Sequence, residues 1–264
     1  MVAASRSVPR VLVCFAVFVL AAGLAVLMAA RGPSPATAGA AAAASPFVAD
    51  LAPAPGSPSS SGDARSSAAT TAAWAPLVVF LGDSLTAGHG VAEDQAFPAV
   101  AAARLAVAGH PVRVLNAGVS GDTSAGGLRR LEWLLAQDPD VIVVSLGAND
   151  GLRGLPLADT EANLRRIVSR AREAGARVLL LGMRMPPNYG PEYAPHFAAL
   201  YPLIAEELEV PLVPFLLEGV GGRPELNQAD GIHPTVEGHR IMAATILPWL
   251  QTIVGELGPR ARRG

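Results

Sequence analysis

The apolar positions of the chain fall into three regimes. From Val11 to Ala30 they form one unbroken run with no polar face, preceded by Arg6 and Arg10 and followed by Arg31. A helix over that run would rise about 1.5 Å per residue and reach roughly 30 Å, the thickness of a bilayer core. Residues 1–31 are therefore expected to be a signal peptide or an N-terminal membrane anchor. The run exceeds the roughly 7–15 residues of a signal-peptide core, which favours an anchor, whereas Ala36-Thr37-Ala38 and Ala38-Gly39-Ala40 offer small-residue cleavage sites. The two alternatives stay open. Both export the remainder, because the two N-terminal arginines stay inside. Cys14 sits within the run.

In residues 32–75 the pattern disappears. Ala, Pro, Ser, Gly and Thr dominate, and Asp50, Asp63 and Arg65 are the charged residues. Such a segment buries too little apolar area to offset its ordering entropy and is expected to be a disordered linker.

The third regime, residues 76–264, alternates short apolar runs with amphipathic stretches. Strands are expected at Leu77–Leu81, Val112–Leu115, Val141–Ser145, Arg177–Leu181 and Val210–Val213. Most are too continuously apolar to have a solvent face, which indicates a parallel sheet covered on both sides. The clearest helix is Glu161–Ala174, with Leu164, Ile167, Val168, Ala171 and Ala174 at helical spacing and Gly175 as its stop. A last helix is expected from about Pro234 past Leu247, kinked at Pro248. Five such alternations imply a three-layer α/β/α sandwich with a five-stranded parallel sheet. In sheets of this kind ligands bind beyond the carboxyl ends of the strands.

Composition narrows the chemistry. All 20 basic residues are Arg, so lysine nucleophiles, Schiff bases and a Walker lysine are excluded. A net charge of −2 argues against a nucleic-acid partner. The single Cys rules out an intrachain disulfide and a cysteine-built zinc site. His89, His110, His196 and His239 show no H-E-x-x-H spacing, so no metal site is expected.

Four loops carry candidate chemistry. After the first strand, Gly82-Asp83-Ser84-Leu85-Thr86-Ala87-Gly88 is either a plain glycine-rich turn or a presented serine nucleophile. It is not the G-x-S-x-G elbow of the α/β-hydrolases. After the second strand stands Asn116-Ala117-Gly118-Val119-Ser120-Gly121-Asp122-Thr123, and after the third Gly147-Ala148-Asn149-Asp150. Taken singly each is ordinary turn chemistry. Aimed together at the crevice, a glycine N–H and the Asn149 amide could stabilise an oxyanion. Before the last helix, Asp230-Gly231-Ile232-His233-Pro234 sets a carboxylate three residues from an imidazole, either a helix cap beside a solvated histidine or an acid–base pair.

These blocks, in this order, resemble the SGNH (GDSL) hydrolase family: Ser84 in Gly-Asp-Ser-Leu, Gly118 in Asn-Ala-Gly, Asn149 in Gly-Ala-Asn-Asp and His233 in Asp-Gly-Ile-His-Pro. The likeness covers about Leu77 to Leu250 and is greatest to the bacterial thioesterase I, lysophospholipase L1 and arylesterase branch. It implies a flavodoxin-like strand order and a serine esterase acting on carboxylic esters or thioesters. It also implies Ser84 as nucleophile, His233 as base and Asp230 as its orienting carboxylate. Oxyanion donors would be Ser84 N–H, Gly118 N–H and the Asn149 amide, with no cofactor. The expected partner is a small acyl ester or lipid-like substrate outside the cytoplasm, with membrane contact through residues 11–30 if these are uncleaved. Two other readings remain: an exported carbohydrate or peptidoglycan O-deacetylase of the same family, and a silent tethered binding module. His89 departs from the branch's usual Tyr and bears on the substrate mouth. The Met183–Ala199 segment, expected to be a long loop, offers either an apolar acyl wall or ordinary packing.

Overall fold

Five strands, β1 (Leu77–Gly82), β2 (Arg113–Gly118), β3 (Val141–Ser145), β4 (Arg177–Leu181) and β5 (Leu212–Val213), pair in parallel in the order β2-β1-β3-β4-β5. The computed structural model describes residues 74–258. The expected span at 11–30 with Cys14, and all but the last two residues of the expected linker, lie outside the described residues. Register levels three strand ends: Gly82 pairs with Gly118 on one side and Ser145 on the other. That row marks where the chain reverses its direction of travel across the sheet, the place where such folds open a crevice.

Val78, Val79 and Leu81 of β1 and Val141 to Val144 of β3 are wholly buried. Their continuous apolar pattern thus follows from cover on both faces. Helix α2 (Phe97–Val107) packs on α7 (Val236–Gly255). On the opposite face α3 (Ser124–Leu135) packs on α5 (Leu157–Glu173), and α5 on α6 (Tyr193–Glu207), as right-handed crossovers require. Two short helices, α1 (Ser84–Ala87) and α4 (Ala148–Leu152), stand at the strand ends.

Four elements differ from expectation, among them β2, which runs on to Gly118, and α5, which starts at Leu157. β5 is two residues long because Pro211 and Pro214 bracket it. Helix α7 meets expectation, starting after Thr235, whose hydroxyl accepts from the Gly238 N–H, and running through Pro248. The Met183–Ala199 segment is not a long loop: a 3₁₀ turn at Pro187–Tyr189 leads into α6, so Tyr193 and Phe197 are helical.

On α7, His239 is buried to 1% exposure, with its ring stacked on Phe97. Its Nδ1 accepts the Phe97 N–H at 3.3 Å, and its Nε2 has no partner among the described residues. Burial, with a smaller contribution from His233, pushes its pKa down to about 4. The unfolded chain, near 6.5, therefore takes up this proton first as pH falls. The stability from keeping His239 neutral is full above about pH 6.5 and is lost on acidification toward pH 4. Relative to a His239→Asn variant, whose side-chain oxygen can still accept the Phe97 N–H, the wild type is expected to lose roughly 3 kcal/mol between pH 7 and pH 4. Urea unfolding at a series of pH values measures this, and parallel pH curves for the two proteins would refute it.

Candidate active site

The site begins where β1 runs out. Asp83 caps α1 by accepting the Leu85 N–H at 3.0 Å, and Ser84 opens the helix with its own N–H in the first turn, where no intrahelical acceptor exists. The helix closes after one turn at Gly88, which adopts φ 76°. Two glycines permit this close packing. A Cβ on Gly82 would stand 2.0 Å from Thr86 Oγ1, and one on Gly118 would stand 2.2 Å from the Ala87 nitrogen. Ser84 is thereby presented to a cleft of about 480 Å³.

His233 reaches Ser84 from the loop before α7. Its Nε2 lies 2.9 Å from Ser84 Oγ, and its Nδ1 lies 2.7 Å from Asp230 Oδ2. The other Asp230 oxygen accepts the N–H groups of Ile232 and His233, each at 3.0 Å. The His233 side-chain bond, followed by these two backbone bonds, holds the Asp230 carboxyl well below the usual carboxylate range. An ionised Asp230 accepts a hydrogen bond from Nδ1–H, so Nε2 is the free lone pair facing the Ser84 hydroxyl. The loop is braced from below. Asn227 bridges to Pro234, and its amide donates to the carbonyls of Val220 and Arg223, both at 2.8 Å.

The opposite wall is a buried polar network. Asn149 on α4 donates from Nδ2 to the Asp122 carbonyl at 3.0 Å and to Asp83 Oδ2 at 3.3 Å. Arg130 pairs with the Asp122 carboxylate at 2.8 Å and donates to the Gly82 carbonyl at 2.9 Å, tying the β1 end to the loop after β2. Next to Asn149, the buried Asp150 accepts from Ser124 N–H at 2.8 Å and from its hydroxyl at 2.5 Å. That contact pins α4 to the start of α3.

Ser84, Asn149 and His233 all line the cleft, and Asp230 stands behind His233. Gly118 does not line it. Its N–H is committed to Asn116 Oδ1 at 3.0 Å, and its α-carbon packs on the α1 backbone. The glycine of this loop that lines the cleft is Gly121, at φ 79°, with an N–H given to no protein acceptor among the described residues. The expectation for Gly118 is thus corrected to Gly121. A signal for this was present: an Asn two residues before a glycine commonly accepts that glycine's N–H in an Asx turn. Asp122 and Arg130, which brace the Asn149 amide, carried no comparable sign. Among the described residues no cluster of three or more His, Cys, Asp or Glu is placed to hold a metal ion.

Residues 80–241 match the family described as GDSL-like Lipase/Acylhydrolase. The chain is 45% identical over 186 residues to the esterase TesA of Pseudomonas aeruginosa, covering 70% of this chain and 92% of that one. It is 42% identical over 184 residues to the thioesterase 1/protease 1/lysophospholipase L1 of Escherichia coli K12, covering 69% and 87%. Among solved structures it is similar to the psychrotrophic esterase EstA of a Pseudoalteromonas species, inhibited by monoethylphosphonate. There the TM-score is 0.65 and the identity 30%, with 69% of this chain and 100% of that chain covered.

Asp83 tests the polar wall. Burial raises its pKa to about 6, against the lowering effect of the Leu85 N–H. A folded-state value above the unfolded one means that its contribution to stability is full below pH 3.8 and lost as pH rises through about 6. Relative to Asp83→Asn, the wild type should therefore lose roughly 3 kcal/mol of stability between pH 4 and pH 7, the opposite slope to that of His239. Asn keeps the cap to Leu85 but turns an amide N–H toward Asn149 Nδ2. Ester hydrolysis at pH 8 is expected to fall about tenfold or more in kcat as the Asn149 donor is displaced. Unfolding curves together with initial rates on one variant check both statements, and unchanged kcat would refute the second.

Proposed function

The chain belongs to the GDSL-like lipase/acylhydrolase family and is a carboxylic ester hydrolase, and we propose that it forms an acyl-enzyme on Ser84. The observation that carries this reading is the pair of short contacts through one imidazole, 2.7 Å from Asp230 to Nδ1 and 2.9 Å from Nε2 to Ser84 Oγ. His233 Nε2 takes the hydroxyl proton as Oγ attacks the ester carbonyl. The same proton then passes to the departing alcohol or thiol, and a water activated by His233 releases the acid. Asp230 holds the tautomer and balances the imidazolium that forms in each half-reaction. Charge on the carbonyl oxygen is met by Ser84 N–H, Gly121 N–H and the Asn149 amide, which exchanges its longer 3.3 Å contact with Asp83 for the oxyanion and keeps the one to the Asp122 carbonyl. Inhibition of a structural relative by a phosphonate is consistent with a serine of this kind.

The cleft supports a longer acyl group over acetyl. Leu152, Met183, Met185, Pro186, Phe215 and Leu217 line it, so its wall is predominantly apolar, and its volume suits a lipid-sized ligand. Methionine side chains adapt to chains of differing length. The names of its relatives, lysophospholipase among them, agree with a monoacyl lipid or simple ester as substrate. The arginine-flanked apolar run at 11–30 supports action outside the cytoplasm, with membrane contact through that run if it is retained.

Two measurements on the full-length protein test the proposal. Ser84→Ala is expected to abolish hydrolysis of a short-chain chromogenic ester while the thermal transition persists, and retained activity would sink the assignment. Across 4-nitrophenyl esters from acetyl upward, kcat/KM should climb by up to about fourfold per methylene while the chain still lengthens inside the cleft. A maximum at acetyl would instead point to a deacetylase.

A further inference from the structure

His89 takes no part in the chemistry above, yet it is tied to both reacting residues. Its backbone N–H donates to the Ser84 carbonyl at 3.0 Å. Its carbonyl accepts from Gln228 Nε2 at 2.7 Å, and the same Nε2 donates to the Pro234 carbonyl at 3.0 Å. The backbone N–H of Gln228 is given to the His233 carbonyl at 2.7 Å. Gln228 therefore clamps the turn after α1 to the loop that carries the base. The clamp requires glycine beside His89: a Cβ on Gly90 would fall 2.2 Å from Gln228 Oε1. Held in this way, the His89 ring packs on the ring of His233, with centroids 4.5 Å apart and planes tilted by 43°. His89 is itself exposed, so the face of His233 that it covers would meet solvent without it.

We propose that His89 is a positioning residue whose ring, clamped by Gln228, holds the His233 imidazole in line between Asp230 and Ser84 during turnover. The proposal rests on the roles assigned above to Ser84 and His233. In the resting state both imidazole nitrogens are engaged. Once Ser84 is acylated its hydroxyl no longer bonds Nε2, and the ring is left with the link to Asp230 alone. That link sits on an exposed stretch that includes Gly231 at φ 74° and the half-exposed Ile232. A ring free to swing about one hydrogen bond spends less time aimed at the water that must attack the acyl-enzyme. An aromatic wall restricts that swing through shape alone, so the function belongs to the ring and not to its protonation.

The test compares full-length wild type with His89→Ala and His89→Phe. His89→Ala is expected to lower kcat about tenfold with KM falling alongside it as the acyl-enzyme accumulates, and His89→Phe to recover kcat to within about threefold of wild type. In proton NMR in a Ser84→Ala background, where Nε2 likewise lacks the serine hydroxyl, the downfield resonance of the His233 Nδ1–H bonded to Asp230 should be visible with native His89 and with His89→Phe and broadened by exchange with His89→Ala. A kcat loss under twofold, an effect confined to KM, or a Phe variant no better than Ala overturns the proposal. Fluorophosphonate labelling of Ser84 in the wild type separates this outcome from failure of the underlying reading. A labelled wild type with an indifferent His89→Ala refutes only the positioning role, whereas an unlabelled wild type refutes the acyl-enzyme itself.

Discussion

Helix α1 lies so close to the ends of β1 and β2 that positions 82 and 118 have no room for a side-chain carbon. Most of the site depends on that approach. Parallel pairing brings Gly82, Gly118 and Ser145 level, and the buried strands leave the sheet no freedom to slide. A one-turn helix standing on that row carries Ser84 at its first position, capped by Asp83. With any larger residue at 82 or 118 the turn would lift away from the sheet. The separation between Ser84 and a base arriving from a distant loop would then no longer be determined by the fold.

The two walls of the cleft are built on different principles. The Asn149 side is interior: Asp83 and Asp150 are almost wholly buried, and Arg130 links Asp122 to the β1 end. Donors that stabilise developing charge act best when they reorganise little, and the bond to the Asp122 carbonyl holds the Asn149 amide in place. The cost is visible at Asp83, whose carboxyl holds its proton up to about pH 6 because burial outweighs its hydrogen bonds. Asp83 and His239 are desolvated groups of opposite type, so their pH dependences oppose one another across the same mildly acidic range.

Much of this was legible in the sequence, for identifiable reasons. Strands β1, β3 and β4 could be read because burial on both faces leaves no alternation to confuse them. The Ser84, Asn149 and His233 blocks could be read because each follows or precedes an element whose end was already marked. Gly118 and Gly121 were not distinguished, since both follow one strand and both suit a turn. What separates them is one hydrogen bond from Asn116. The segment after β4 misled through its prolines. Pro195 falls in the first turn of α6, where a missing N–H costs nothing, and Pro202 is carried inside the helix. The contact of His89 with His233 joins positions 144 residues apart and follows from the Gln228 clamp, which no local pattern announces.

The side proposed to carry the acid–base pair is the reverse of the interior wall, and that proposed chemistry explains why. A general base must release its proton and admit water once in every turnover, so it is best placed at the surface. Asp230 accordingly keeps a side chain 42% exposed, and His233 one of 16%. Exposure weakens electrostatic interactions, and a short loop with a left-handed glycine is poor at holding an imidazole to the tolerance catalysis needs. The chain meets the first difficulty with three hydrogen bonds that keep Asp230 ionised, and the second with contacts borrowed from elsewhere, the Asn227 bridge and the Gln228 clamp. The base is thus accessible without being loose. The borrowed contacts come from Asn227 and Gln228, outside the four motif blocks.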